Sequence, residues 1–394
     1  MNCALGRRRN NLHYMTILFM YDSPLLPEKG GTERATKLVM DELARRGHTT
    51  IGLLHFNQAN PDEYFLNGDR IHSLAVFLNE NHVDVVVNQI AFHYWLLKEF
   101  LAHGGQEWKD KGGKIISFMH FDPDINYAPI KSYYRNFWQK DLVHKIKRLG
   151  FFFFIPKYRR LYKKTRIDSF RYIYEQSDRY VVMSPSYIGA LQQLTGFNSM
   201  PKVCVITNML TFPDIADRSI LGAKEKMVLI VSRLDENQKR ISLMIKAWLS
   251  LKDHYGYRLH IVGSGKDELF LKQLAVGCKD IVFDGAQSPL AWYQRARIFL
   301  LASPREGWGL TLTESLQNGV VPVVMNTSKV FGEIICDGRT GFIADTTQQY
   351  AERIELLMTD DHLRNKMAVA GLESAHRFSP EFVGDKWENM LNEI

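Results

Sequence analysis

Ile298-Phe-Leu-Leu-Ala-Ser-Pro-Arg-Glu-Gly-Trp-Gly-Leu-Thr-Leu-Thr-Glu-Ser-Leu-Gln-Asn-Gly-Val-Val-Pro322 decides how the rest of the chain is read. A short apolar run, Ile298 to Leu301, predicts a buried strand. It leads into a turn carrying Glu306, and Gly307-Trp308-Gly309 then opens a helix with Glu314 in its second turn. Glycines at a helix start let the backbone come close to a ligand, and the unbonded N–H groups there favour an anion. Carboxylates on either side can accept hydrogen bonds from sugar hydroxyls. Two acids eight apart mean little alone; around a glycine-rich helix start they are specific.

Working outward, short Val/Ile/Leu-rich runs alternate with longer amphipathic stretches, the pattern of βα units on a parallel sheet buried on both faces. Strands are predicted at Met15 to Tyr21, Thr49 to His55, Val83 to Ile90, Ile115 to His120, Tyr180 to Met183 and Val203 to Thr207. A second set falls at Met227 to Ser232, Arg258 to Val262, Ile281 to Phe283, Ile298 to Leu301, Val321 to Met325 and Gly341 to Ala344. Six and six predict two doubly wound α/β domains. The expected division is an N-terminal extension (1–14), a first domain (15–212), a second (213–378) and a C-terminal helix (379–394), with Ser379 as N-cap before Pro380.

In doubly wound sheets ligands bind beyond the carboxyl ends of the strands, so the residues just after each strand are the candidates. After the first strand, Gly30-Gly31-Thr32-Glu33 precedes a helix, as an anion-binding turn or a plain βα turn. His120 ends the fourth strand and is expected at the rim of the crevice between the domains. Asp122 and Asp124 have a D-x-D spacing that suits a divalent cation, but no further carboxylate or histidine cluster completes a metal site. Arg233 and Lys239 bracket one loop at a strand end, where a guanidinium and an ammonium can jointly neutralise a diphosphate. Gly263-Ser-Gly265 begins a dinucleotide fingerprint, yet Glu268 stands where the third glycine belongs, which speaks against a nicotinamide oxidoreductase.

The chain has 394 residues, 45% hydrophobic and 24% charged, a globular composition that excludes a disordered or fibrous protein. Its four cysteines, Cys3, Cys204, Cys278 and Cys336, form no C-x-x-C pair, which argues against a disulfide framework or a thiolate zinc motif and for a reducing compartment. No apolar run reaches transmembrane length and the N-terminus lacks the apolar stretch of a signal peptide, so a cytoplasmic protein is expected. The +7 net charge, from 50 Lys+Arg and 43 Asp+Glu, comes from one segment. Lys131 to Arg166 holds twelve basic residues and one acid, interleaved with aromatics such as Trp138 and Phe151 to Phe154. This insert (131–166) is read as docking the first domain on the cytoplasmic face of an anionic membrane, the alternative being a solvated helical insert whose aromatics pack under its own domain.

Ser303, Glu306, Gly307, Trp308, Gly309, Leu310 and Glu314 resemble the S-x-x-E-G-(F/W)-G-L-x-x-x-E hallmark of the retaining GT-B glycosyltransferases of family 4, the glycosyl transferases group 1. The resemblance extends to Arg233 and Lys239, to Gly263 and Gly265, and more loosely to Gly30, Gly31, Glu33, His120, Ser184 and Asn208. It implies two Rossmann-like domains facing across a cleft, with a C-terminal helix able to cross back to the first. It also implies a metal-independent, retaining transfer of sugar from a nucleotide-sugar, UDP-sugar first and GDP-sugar next, to a saccharide or lipid-linked acceptor in polysaccharide, lipopolysaccharide or glycolipid synthesis. Arg233, Lys239, Gly309 and Leu310 would hold the diphosphate, Glu314 and Gly263 the nucleoside, and Glu306 and His120 the transferred sugar. Gly30, Gly31 and Glu33 would form the acceptor-side phosphate loop, and neither metal nor cofactor is expected. The spacing from Arg233 to Lys239 is one residue longer than in many members, which leaves Arg240 as a rival. The competing classes are a GT-A transferase using manganese at Asp122 and Asp124, a non-catalytic sugar-nucleotide sensor, and a nucleic-acid binder acting through the basic insert. The absence of RNP, KH or zinc-finger spacing disfavours the last.

Overall fold

The computed structural model describes residues 14–24, 26, 30–57, 60, 62–123 and 153–394. Asp124, the insert as far as residue 152, and the expected extension apart from Tyr14 therefore lie outside the described residues.

By its internal contacts the chain forms two compact units. The first comprises Met1–Glu28, Met40–Val205 and Glu388–Ile394; the second comprises Lys29–Val39 and Ile206–Trp387. The last residues of the C-terminal helix, Pro380–Leu391, thus group with the first unit, where Glu388 Oε1 meets the buried His48 Nε2 at 3.0 Å. His48 Nδ1 accepts from the Met15 amide at 3.2 Å, so Nε2 carries the proton. At the other end of that helix the Ser379 hydroxyl accepts from the Phe382 amide, acting as the expected cap.

The first unit holds an eight-stranded sheet: β1 (Thr16–Met20), β2 (Thr49–Phe56), β3 (Tyr64–Leu66), β4 (Asp69–Ile71), β5 (Val85–Asn88), β6 (Lys114–Met119), β7 (Arg179–Val182) and β8 (Val203–Val205). Their order is β4-β3-β2-β1-β5-β6-β7-β8, and pairing is parallel apart from the antiparallel β2–β3 and β3–β4. All six strands expected here are present; β3 and β4 are additional. Each of those two has only three residues, too short for an alternation of apolar and polar side chains to show. They are joined through Asn67 and Gly68, both at positive φ, the turn chemistry that does signal a hairpin.

The second unit holds β9 (Met227–Val231), β10 (Arg258–Val262), β11 (Ile281–Gly285), β12 (Ile298–Leu301), β13 (Val321–Met325) and β14 (Phe342–Ala344) in the order β11-β10-β9-β12-β13-β14, all parallel. These six match the expected set within two residues at every end. Strand order reverses between β9 and β12, which makes the carboxyl ends of that pair the natural ligand crevice of this sheet. Its core is dominated by Val, Ile and Leu from β9, β10, β12 and β13 with Trp248, Tyr257 and Tyr350, all buried.

Candidate active site

Two loops leave the sheet at this switch point. The first follows β9. Leu234 is buried and its amide donates to the Ser264 carbonyl at 2.9 Å, while the Ser232 amide donates to Val262. These bonds lay the loop after β9 along the loop after β10, and the two glycines there make it possible. A Cβ on Gly263, whose φ is +143°, would lie 1.9 Å from the Ser232 carbonyl oxygen; one on Gly265 would lie 2.5 Å from that of Leu234. The incomplete fingerprint is therefore a close-approach device that seats the Arg233 loop. Asp235 caps the short helix Glu236–Lys239 through the Asn237 amide and pairs with Lys266, and Glu236 accepts from the Ser242 amide at 2.9 Å.

That helix ends at Arg240, which takes a left-handed conformation with φ 47° before the helix Ile241–Leu249 begins. Lys239, the last residue before this hinge, is partly buried and its Nζ donates to Glu306 Oε1 at 2.6 Å. Arg240 is exposed. Of the two rivals, Lys239 is the one brought to the acidic turn. Arg233 is exposed and donates to Gln238 Oε1 at 2.5 Å, which holds the guanidinium on the same loop.

The second loop follows β12. The Ser303 carbonyl accepts from Thr327 Oγ1 at 2.5 Å and the Glu306 carbonyl from Ser328 Oγ at 3.3 Å, so the turn is pinned to the residues after β13. Trp308 is buried with its ring edge-on to Phe378 at 5.4 Å between centroids, which anchors the turn to the core. Gly309, at φ 97°, then starts the helix Leu310–Gln317. The Leu312 and Thr313 amides donate to the Gly309 carbonyl at 2.9 and 3.3 Å, so the amides that this helix start can offer to an anion are those of Gly309 to Thr311.

Glu314 is fully buried. Arg34 Nη1 donates to its Oε1 at 2.9 Å, while its Oε2 is buried with no hydrogen-bond partner among the described residues. Burial and this carboxylate push the phenol of Tyr293 well above its ordinary range, so the hydroxyl keeps its proton. Arg34 lies on the helix Gly31–Arg45, whose first residues group with the second unit, and a Cβ on Gly31 would meet Leu310 Cδ1 at 3.5 Å. The glycine turn at Gly30 and Gly31 is thus brought to the start of the Leu310–Gln317 helix, with Glu33 folded back so that a Cβ on Gly30 would overlap its carboxylate. Arg34 is one residue that sequence reasoning missed; it stands one position beyond the Gly-Gly-Thr-Glu run and carried no signal of its own.

In the first unit, Gln89 and His120 follow directly on β5 and β6, both buried. His120 Nε2 shares a short hydrogen bond with Gln89 Oε1, and Asn88 and Ser177 both bond to Ser117, fixing the strand ends behind the pair. Burial lowers the His120 pKa to about 3, so the imidazole is neutral. A neutral imidazole bonded to an amide leaves one donor and one acceptor over, whichever way the amide is turned. Here these are Gln89 Nε2 and His120 Nδ1, both buried and without partners among the described residues. A hydroxyl, which donates and accepts, suits such a pair. Gln89 was missed, although its place directly after a strand was a usable signal. His120 thus stands at the carboxyl end of β6, where it was expected, and is buried there with the Phe118 ring 4.0 Å from its own. Asp122 is described but Asp124 is not, so the D-x-D reading falls outside the described residues.

Residues 212–373, within the second unit, match the family model for glycosyl transferases group 1. One curated relative is the Campylobacter jejuni GalNAc-alpha-(1->4)-GalNAc-alpha-(1->3)-diNAcBac-PP-undecaprenol alpha-1,4-N-acetyl-D-galactosaminyltransferase, 23% identical over 53% of this chain and 60% of its own length. The Staphylococcus aureus capsular polysaccharide biosynthesis glycosyltransferase CapM is 29% identical over 35% of this chain and 38% of its own. Both alignments thus span under two thirds of the relative.

Among solved structures, the pneumococcal O-GlcNAc transferase GtfA, in complex with UDP and GlcNAc, superposes with a TM-score of 0.66 at 14% identity, covering 97% of this chain and 99% of that one. Anabaena Alr3699/HepE, in complex with UDP and glucose, gives 0.65 at 14% identity over 97% and 100%. The fold is GT-B.

Proposed function

We propose that the chain is a retaining glycosyltransferase that moves a sugar from a nucleoside-diphosphate sugar, UDP-sugar first, to a saccharide or lipid-linked saccharide in cell-surface polysaccharide synthesis. The observation that carries this is the Lys239–Glu306 pair at the switch point of the second sheet, beside Arg233 and the Gly309 helix start. Arg233 and Lys239 neutralise the diphosphate, and the amides at Gly309 and Leu310 receive its oxygens. Glu306 then turns from Lys239 to the sugar hydroxyls, and Glu314 offers its free Oε2 to the ribose while Arg34 holds Oε1. Gly263 takes no part by side chain; it lets the nucleoside side of the loop lie close. The cations, not a metal, stabilise the leaving diphosphate, one oxygen of which takes the acceptor's proton as the new bond forms on the same face. His120 and Gln89 grip one hydroxyl of the sugar or acceptor, and a neutral His120 serves there as a hydrogen-bonding group and not as a base. GtfA and HepE, whose structures hold UDP, support UDP as the first nucleotide to test. Hydrolysis of UDP-, GDP- and ADP-sugars without acceptor is the test: UDP release at equal rates with and without added magnesium or manganese is expected. Strict dependence on either ion overturns the metal-free reading, and release from none of the donors favours the sensor.

The lipid-linked acceptor rests on the helix Ile155–Gln176. Phe153, Phe154 and Leu161 are 82%, 60% and 60% exposed, and Lys157, Arg159, Arg160, Lys163 and Lys164 are exposed among them. Arg166, by contrast, is turned inward, donating to the Phe92 carbonyl at 2.9 Å, so it does not belong to the docking charge. No helix among the described residues is long and apolar enough to cross a membrane. At about 1 kcal/mol for each basic residue near an anionic surface, these five supply several kcal/mol, aided by insertion of the rings. Cosedimentation with anionic vesicles is expected at low salt, to fade with salt, and to be lost when the five are changed to Ser. Equal pelleting of wild type and variant removes the membrane from the proposal.

A further inference from the structure

We propose that His254, Cys278 and Asp280 form a binding site for one zinc-class divalent cation, at the opposite rim of the second sheet from the site described above. His254 lies in the loop leading to β10 and Cys278 to Asp280 in the turn leading to β11, so the cluster sits at the amino ends of these strands. Arg233 and Glu306 follow the carboxyl ends of β9 and β12.

One ring nitrogen of His254, the Cys278 sulfur and a carboxylate oxygen of Asp280 all lie within 4.8 Å of one another. His254 stacks on Trp248 with centroids 4.2 Å apart and planes 16° from parallel, so the ring is fixed. Its Nε2 lies 3.2 Å from the Trp248 carbonyl and its Nδ1 3.0 Å from Asp280 Oδ2. Both partners are acceptors, and a neutral imidazole has only one N–H to give. With Nε2–H spent on the carbonyl, the Nδ1 lone pair faces a carboxylate, an arrangement that needs a positive charge between them. A proton on the ring would satisfy those two groups but leaves Cys278 without a part; a cation uses all three. The carbonyl bond is also the outer contact that metal-bound histidines make, since it fixes which nitrogen is free to ligate.

Imidazole, thiolate and carboxylate together are the donor set of zinc, bound at about 2.0 to 2.3 Å with four ligands. Asp280 is partly exposed, so water supplies the fourth ligand. On binding, the Cys278 S–H bond breaks, its proton passes to solvent and the sulfur lone pair forms the bond to the metal. Both loops are tied to the start of β10: the Leu259 amide donates to the Asp280 carbonyl at 2.8 Å and the Tyr257 amide to that of His254 at 2.7 Å. A bound ion would therefore staple β11, an edge strand, to its neighbour. The sequence motif search failed here because the ligands come from two loops 24 residues apart, with no C-x-x-C or H-x-x-H spacing.

The test uses the reduced, metal-free full chain and cobalt(II) as the probe. A thiolate-to-cobalt absorption band saturating at one equivalent is expected, displaced by zinc, unchanged in Cys336→Ser and lost in Cys278→Ser. His254→Ala is expected to weaken the affinity at least tenfold, and zinc to raise the melting temperature of wild type but not of Cys278→Ser. No saturable band with wild type, or a band that survives Cys278→Ser, overturns the site, and neither result depends on how a variant folds or on any transferase activity.

Discussion

Lys239→Ala is expected to weaken the binding of free nucleoside diphosphate roughly tenfold to a hundredfold, the loss of one charge-assisted contact worth about 1.5 to 3 kcal/mol. The substitution removes the ammonium that donates to Glu306 Oε1, a carboxylate only 14% exposed, and with it one positive charge facing the incoming phosphates. Folding should change little, since Lys239 ends a four-residue helix whose cap is supplied by Asp235. Calorimetric titration of UDP reads the effect directly. Arg240→Ala is the control: exposed and beyond the left-handed hinge, it should leave affinity within about twofold, and a larger loss there than at Lys239 would transfer the role to Arg240.

Glu306→Gln is expected to lower turnover by about a hundredfold or more while leaving UDP affinity close to wild type, because its contact is made with the transferring sugar and not with the nucleotide. Glu314→Gln should do the reverse and weaken the nucleotide itself. The glutamine keeps the shape of a fully buried side chain that an alanine would hollow out. It still lets Arg34 donate to the remaining oxygen, so lost affinity there reads the ribose contact and not a collapsed helix. Separate measurement of kcat and of UDP affinity for the two variants settles the division of labour. Equal effects of both on UDP binding would end it.

The parallel strands were legible because a strand buried on both faces must be apolar along its whole length, so β9, β10, β12 and β13 stand out as runs without any alternation. β3 and β4 were not, since three residues carry no period. The acidic helix start was legible for a related reason: glycines at 307 and 309 are meaningful by position alone. What could not be read were pairings set by three-dimensional approach. Arg34 finds Glu314 across 280 residues of chain, and Gln89 finds His120 across 31. Nor does sequence show which groups are left unsatisfied once every other bond is made. Among the described residues, the second oxygen of Glu314 and the spare donor and acceptor on Gln89 and His120 are what remains once the other hydrogen bonds are made.

Gly309 and Gly263 look alike in the sequence and both take a positive φ, yet a second obstacle stands at Gly263 alone. There volume adds to handedness, since any side chain meets a carbonyl oxygen. At Gly309 there is room: an added Cβ would find nothing nearer than Leu312 at 3.6 Å, an ordinary contact. The constraint there is handedness. A backbone at φ 97° is uphill for every L-residue, least for asparagine and most for the β-branched ones, but natural for a residue of opposite chirality. The helix that presents its amides at this site is thus launched by a stereochemical switch and not by a steric gap. A mirror-image alanine introduced there by chemical synthesis would keep the launch angle that an ordinary alanine strains.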